Sequence, residues 1–145
     1  MKILVAIDFS EFTKKILKEA EKIAQKFSAK LYILHVAEPE PDFVGWDVGP
    51  QSVRDSMSEK FHSQHCKVQD ISKQLREVGL DATSLLLQGN ISETILGEAL
   101  KLDVDMIIVG SHGQGMMNQL LVGSVSGDVL HKSKCPILVV PTHNS

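Results

Sequence analysis

Short apolar runs alternate with helix-periodic segments along the whole chain, and this alternation constrains the fold more than any other feature. The strand-like runs cover residues 2–7, 30–36, 82–87, 106–109 and 137–140. The segments between them carry apolar residues three or four positions apart, which is the period of an amphipathic helix. Because the runs are almost continuously apolar, we expect strands that are buried on both faces. The pattern therefore predicts a parallel sheet covered by helices on both sides.

Local signals indicate where the helices begin and which residues face the core. Ser10 is expected to cap the first helix, and the stretch from Asn90 to Glu93 has the pattern of a capping box that opens the third. A long second helix is expected over 53–78, ended by Gly79. The residues expected to face the core are Phe12, Ile16, Ala20, Ile23 and Phe27 in the first helix, Met57, Phe61, Val68, Ile71, Leu75 and Val78 in the second, and Ile95, Leu96, Ala99 and Leu100 in the third.

Composition excludes several classes of protein. With 145 residues, of which 43% are hydrophobic, the chain has the size and character of one globular domain. Its net charge is −3 and it has no block of Lys and Arg, so we expect no nucleic acid partner. No apolar stretch reaches the length of a membrane span. The N-terminus enters the first strand directly, and Cys66 and Cys135 are far apart, which favours a cytoplasmic chain with two free thiols.

A glycine-rich frame of the form G-x2-G-x9-G-S follows the fourth strand-like run, and it consists of Gly110, Gly113, Gly123 and Ser124. Glycine lets backbone N–H groups approach an anion closely, because it has no Cβ and tolerates positive φ. Ser124 stands where a helix can begin, and the first N–H groups of a helix attract negative charge. A tight turn before a helix would explain each glycine separately. Three glycines and a serine in one strand–loop–helix context favour a phosphate site.

Three other phosphate-binding patterns do not fit. A P-loop needs Lys and Ser or Thr after its second glycine, but Met116 and Met117 follow Gly115. A dinucleotide fingerprint follows the first strand, whereas the glycines here follow the fourth. A response-regulator receiver needs an aspartate at the end of the third strand, where this chain has Gln88.

The chain resembles the universal stress protein family, in its ATP-binding subclass. The family motif G-x2-G-x9-G-[ST] is filled without a gap, and the blocks ILVAIDFSE, LYILHV, DVDMIIVGSHG and GSVSGDVLHKSKCPILVVP extend the similarity over the whole length. The resemblance implies an α/β fold: a three-layer αβα sandwich with a five-stranded parallel sheet in the order 3-2-1-4-5. This is a Rossmann-like adenine nucleotide-binding fold, and it would span residues 1–145 as a single domain.

The resemblance also implies ATP across the strand ends, with Mg²⁺ or Mn²⁺ bound to the triphosphate. Two groups of residues would hold the nucleotide, one at the adenosine and one at the ribose and phosphates. The first group is Ala6, Ile7, Asp8 and Val36, and the second is Val109, Gly110, His112, Gly113, Gly123, Ser124, Val125 and Ser126. Ser124 and Ser126 would offer hydroxyls. Gly127 departs from the family, which often has a charged or aromatic residue there, and this departure is expected to weaken the last helix.

The last apolar run, from Pro136 to Pro141, ends the chain and is expected at a sheet edge. An apolar edge strand must be covered or paired. Burial under helices is one solution. The resemblance implies the other, in which the strand pairs with its copy across a two-fold axis to form a homodimer.

His62, His65 and Cys66 lie within one helical turn, but we expect a solvated surface there and no metal site. His35 is expected to be a hydrogen-bonded core or rim residue. The possible functions are an ATP-binding regulatory protein, a slow ATPase, and an interaction dimer with an empty site. Hydrolysis needs charge stabilisation at the outer phosphate. No Lys or Arg lies between Gly110 and His131, so binding is favoured and no catalytic residue is assigned.

Overall fold

A computed structural model describes residues 1–38, 51–111 and 124–142, with only the backbone described for 51–58 and for Ser124. Strands and helices alternate as predicted, and each strand boundary lies within one residue of its expected place. In chain order the elements are β1 (Lys2–Ile7), α1 (Thr13–Phe27), β2 (Lys30–Ala37), α2 (Gln51–Glu77), β3 (Asp81–Gln88), α3 (Ile91–Leu102), β4 (Met106–Gly110), α4 (Ser124–Lys132) and β5 (Ile137–Val140).

The sheet has the strand order β3-β2-β1-β4-β5 and every neighbouring pair is parallel. Alternate residues of β1 face opposite sides, so Ile3 and Val5 pack with α1 and α2 while Leu4 packs with α3 and α4. The result is a three-layer α/β sandwich, which confirms the predicted fold class.

The third helix begins as predicted, but the first does not. Asn90 is the N-cap of α3, and its side chain accepts a hydrogen bond from Glu93 N at 3.0 Å. The residue that precedes α1 is Phe12, which makes no side-chain cap. Ser10 instead organises the turn before the helix, where its Oγ accepts from Phe12 N at 3.3 Å and its carbonyl accepts from Thr13 N at 3.1 Å. The prediction that Ser10 caps α1 was therefore wrong.

Four apolar residues expected in the core are exposed instead: Phe27, Phe61, Val78 and Leu100. Phe27 is the last residue of α1, and Val78 follows the end of α2, so both lie where their helix is ending. Leu100 directly follows the buried Ala99, and one residue turns a helix by about 100°. Helical spacing identifies the apolar face of a helix, but it does not show which residues of that face extend beyond the sheet.

No helix in the described part of the chain is both long and apolar enough to cross a membrane.

Candidate functional site

The strand order places the end of β1 beside the end of β4. Because β1 and β4 are parallel neighbours, the residues that follow Ile7 and Gly110 leave the sheet at the same edge. From β1 the chain continues to β2 on one side, while β4 lies on the other side. Ligands of open α/β sheets bind in the crevice that such a reversal creates at the carboxyl ends of the strands. The structure thus places the ends of the two strands that lead into the predicted nucleotide site at one edge of the sheet.

A tight turn follows β1. Asp8 is half-buried, and its Oδ1 accepts a hydrogen bond from Ser10 N at 3.0 Å. Phe9, between them, has a φ of 60°, in the left-handed region that side-chain-bearing residues seldom occupy. The Asp8 carboxylate and the Phe9 backbone therefore define the direction in which the chain leaves the sheet.

His35 is the neighbour of Ile7 on β2, and it holds the end of β1. Its Nδ1 lies 2.9 Å from Ile7 O, and since a carbonyl can only accept, Nδ1 carries the proton and donates. The imidazole is 7% exposed and lies 4.2 Å from the Phe9 ring between centroids. Burial lowers the pKa of His35 below its ordinary value; the hydrogen bond to Ile7 and the charge of Asp8 oppose this shift, and Lys67 reinforces it.

On the other side of the crevice, a buried hydroxyl joins α4 to the end of β4. Ser126 is 5% exposed, and its Oγ donates a hydrogen bond to Gly110 O. This contact fixes the first turn of α4, which begins at Ser124, against the last residue of the strand. Ser126 was predicted to offer its hydroxyl to phosphate, but in the structure this hydroxyl donates its proton to Gly110 O.

A pair of hydroxyl groups joins the residues after β5 and after β4. Ser111 N donates to Val140 O at 2.8 Å, and Ser111 Oγ accepts from Thr142 N at 3.0 Å. The hydroxyls of Ser111 and Thr142 lie 3.1 Å apart, and both residues are buried. The departure point of the glycine-rich segment is thus anchored to the last strand.

The other predicted residues are placed as follows. Ala6 is half-buried, and Val36 and Val109 are 6% and 3% exposed in the core on the α3 and α4 side. Val125 is partly buried beside the same core. His112, Gly113 and Gly123 lie outside the described residues, as does the side chain of Ser124.

The sequence did not assign roles to Phe9, Ser111 or Thr142. Ser111 stands directly between predicted site residues, so its position was the available signal. No local sequence pattern indicates the positive φ of Phe9, or the contact of Thr142 with Ser111, which lies 31 positions earlier.

Potential metal ligands do not cluster in the described part of the chain, where no group of three or more His, Cys, Asp or Glu side chains could hold an ion. On α2, Cys66 Sγ and His62 Nε2 are 3.7 Å apart, and both residues are exposed.

Known proteins share the sequence pattern and the fold of this chain. The universal stress protein family model matches residues 1–141. The chain belongs to the universal stress protein family. A universal stress protein of Thermus aquaticus is 30% identical over 95% of this chain and 96% of its own length. The solved structure of the Methanocaldococcus jannaschii family member MJ0577 superposes with a TM-score of 0.81 at 32% identity, covering 99% of this chain and 97% of the other.

A further solved structure is a universal stress protein in complex with cAMP. It matches 99% of this chain and 98% of its own with a TM-score of 0.73, and at 20% identity the likeness shows a shared fold.

Proposed function

We propose that this universal stress protein binds ATP in the crevice between the ends of β1 and β4. The observation that carries the proposal is the convergence of Asp8 and Gly110 at one sheet edge, with the start of α4 fixed beside Gly110 by Ser126. A nucleotide complex is known for a protein of the same fold, in which the ligand, cAMP, contains adenine. ATP shares that adenine and adds the phosphates that the glycine frame of this chain suits.

The start of α4 has the chemistry that a phosphate group requires. This nine-residue helix has no acidic residue in its first turn, so no carboxylate there competes with or repels an anion. Its first N–H groups have no partner within the helix, and the helix dipole adds a partial positive charge. Gly123, Ser124 and Val125 would hold the outer phosphates there, and Gly110, Gly113 and the backbone near His112 the inner ones.

The ends of β1 and β2 would receive the adenosine. Asp8 is half-buried at the edge, with one carboxylate oxygen already accepting from Ser10 N. A carboxylate accepts hydrogen bonds from ribose hydroxyls, and the Val36 backbone at the end of β2 lies on the same edge. Mg²⁺ or Mn²⁺ would accompany the triphosphate, held mainly by phosphate oxygens and water.

The test is calorimetric titration of ATP into the purified protein, after nucleotide that co-purifies has been identified by mass spectrometry. Wild type is expected to bind ATP, and Gly123→Val to lose binding, because a branched side chain would obstruct approach to the phosphates. Gly97→Ala is the matched control, since Gly97 lies in α3 and an added Cβ meets nothing within 4 Å. Equal affinity of Gly123→Val and wild type would contradict the assignment of the glycine frame.

We propose binding and not turnover as the function of this site. The sequence from Gly110 to His131 supplies backbone donors and hydroxyls but no cationic side chain for the outer phosphate. Multiple turnovers in pure protein that disappear in Ser124→Ala would instead establish a slow ATPase.

We also propose that the protein forms a homodimer through β5. This strand is at the sheet edge, and Ile137, Leu138 and Val139 are only partly buried in the single chain. The bonds Ile107 N to Pro136 O and Ser111 N to Val140 O show that the even-numbered residues of β5 bond to β4. In a parallel pair the backbone groups of 137 and 139 therefore point outward, where a second copy can pair with them.

Proline at position 139 tests this dimer without breaking β4–β5 pairing, since it removes only an outward N–H group. We expect Val139→Pro to sediment as a monomer with near-native circular dichroism. A wild-type monomer, or an unchanged dimer in the folded variant, would contradict pairing through β5.

A further inference from the structure

The end of β1 is held by side chains from the turn after β1, from β2 and from α2. The Phe9 ring lies 4.2 Å from the His35 ring on β2, and Lys67 Nζ of α2 lies 5.5 Å from the centre of the same phenyl ring. His35 Nδ1 also donates to Ile7 O at 2.9 Å. Asp8 lies in the chain between Ile7 and Phe9, the two residues that these contacts hold.

These contacts maintain a backbone conformation that does not form readily by itself. A residue with a Cβ occupies the left-handed region only at an energetic cost. Phe9 does so with a φ of 60°, and its ring is thereby brought against His35 and the core. The tertiary contacts of the ring must offset that cost, so the direction of the Asp8 carboxylate depends on His35.

We propose that His35 is a positioning residue that makes nucleotide binding at Asp8 dependent on pH. This inference rests on the proposed ATP site. Neutral His35 fixes Ile7 O and supports Phe9, which holds Asp8 in place for the adenosine. Protonation puts a charge on a side chain that is only 7% exposed, and so disfavours the arrangement that binds.

The charged groups around His35 define the sign of the effect. Burial is the largest influence and opposes the imidazolium, as does Lys67, whereas the hydrogen bond to Ile7 O and the charge of Asp8 favour it; the pKa therefore lies below the ordinary value of about 6.5. A nucleotide seated on Asp8 would remove further water from this edge. The phosphates, whose charge favours the imidazolium, would lie across the crevice at the start of α4, so dehydration by the adenosine is the larger influence at His35. Binding then favours neutral His35, and affinity falls as the pH falls through the pKa of His35. One linked proton limits this change to about tenfold per pH unit.

The experiment compares wild type, His35→Asn and His35→Ala in ATP titrations between pH 5 and pH 8. Asparagine offers an amide N–H near the position of Nδ1 but does not titrate in this range. His35→Asn keeps a donor for Ile7 O but loses the ring contact with Phe9, so we expect it to bind somewhat more weakly than wild type at pH 8 and to lose affinity more slowly than wild type on acidification. Protonation of the ATP phosphates affects both proteins equally, so a difference between their pH profiles of affinity arises from His35. His35→Ala is expected to bind more weakly at every pH.

A second measurement needs no variant to bind. The NMR titration of the wild-type His35 imidazole, assigned by its absence from His35→Asn, should move to lower pH when ATP is added, because linkage is reciprocal. Identical pH profiles of wild type and His35→Asn, or an imidazole titration unmoved by bound ATP, would overturn the inference while leaving the ATP site intact. Absence of ATP binding to wild type at every pH would overturn the proposed function as well.

Discussion

The two sides of the crevice are built by different physical means. On the β1–β2 side, the ring of Phe9, whose backbone is left-handed, packs against the ring of His35. His35 also donates one side-chain hydrogen bond, to Ile7 O. The β4–β5 side is held by buried hydroxyls, in which Ser126 and Ser111 make hydrogen bonds to backbone groups. Ring packing tolerates small shifts and responds to protonation of the imidazole. Hydroxyl-to-backbone bonds are directional and insensitive to pH near neutrality. We therefore expect the first side to adjust and the second to stay fixed.

The largest effect is expected on the hydroxyl side. Ser126→Ala removes the donor to Gly110 O, and leaving a buried acceptor without its donor costs about 1–3 kcal/mol of unfolding free energy. ATP affinity should fall too, since α4 loses its attachment to β4. Urea denaturation measures the first effect and calorimetric titration the second. Ser72→Ala is the matched control, because Ser72 is also buried and donates to Gln69 O inside α2, remote from the crevice. An equal loss of affinity in both variants would remove the special role of Ser126.

A smaller effect tests the strained backbone on the ring side. Phe9→Ala and Phe9→Gly both lose the contact with His35, but glycine occupies positive φ without penalty. We expect Phe9→Gly to be the more stable of the two by about 1 kcal/mol in chemical denaturation. At Lys18, exposed in α1, the order should reverse, with glycine about 1 kcal/mol less stable than alanine. The same order at both positions would show that Phe9 carries no left-handed strain.

The ring side should also make stability depend on pH. The pKa of His35 is lowered in the folded protein, so between that value and about 6.5 the unfolded chain binds more protons than the folded one. The His35 contribution to stability is therefore complete above about pH 6.5 and is lost as the pH falls toward the folded pKa. Thermal unfolding from pH 5 to pH 8 should show a steeper acid loss in wild type than in His35→Asn. Parallel curves would contradict this difference between the two sides.

The smallest effect concerns α4 itself. Gly127 lies within this helix, and an added Cβ would meet nothing within 4 Å. Replacing a helical glycine by alanine stabilises by about 0.5–1 kcal/mol, so Gly127→Ala should raise the unfolding free energy by this amount. Gly97→Ala in α3 should give a similar gain. If only Gly127→Ala changes ATP affinity, the rigidity of α4 contributes to binding, whereas equal affinities would show that Ser126 already holds the helix.

Much of the fold could be predicted because its signals are local. The strand positions followed from apolar runs, and the Asn90 cap from a four-residue pattern that the structure confirms. The misplacements occurred where tertiary geometry competes with local pattern. Ser10 has the chemistry of a cap, but the left-handed turn at Phe9 places it before the helix. Leu100 has helical spacing, but it lies off the face that packs on the sheet.

The sequence by itself determined the alternation of strands and helices, the glycine frame and the family, because each depends on residue types at fixed spacings. Only the tertiary structure decided that His35 bonds Ile7 O, that Ser126 bonds Gly110 O and that Thr142 contacts Ser111. These partners are 28, 16 and 31 residues apart, and no periodicity links them. They meet because parallel strands bring their carboxyl ends to one edge of the sheet, where backbone groups beyond the ladder need side-chain partners.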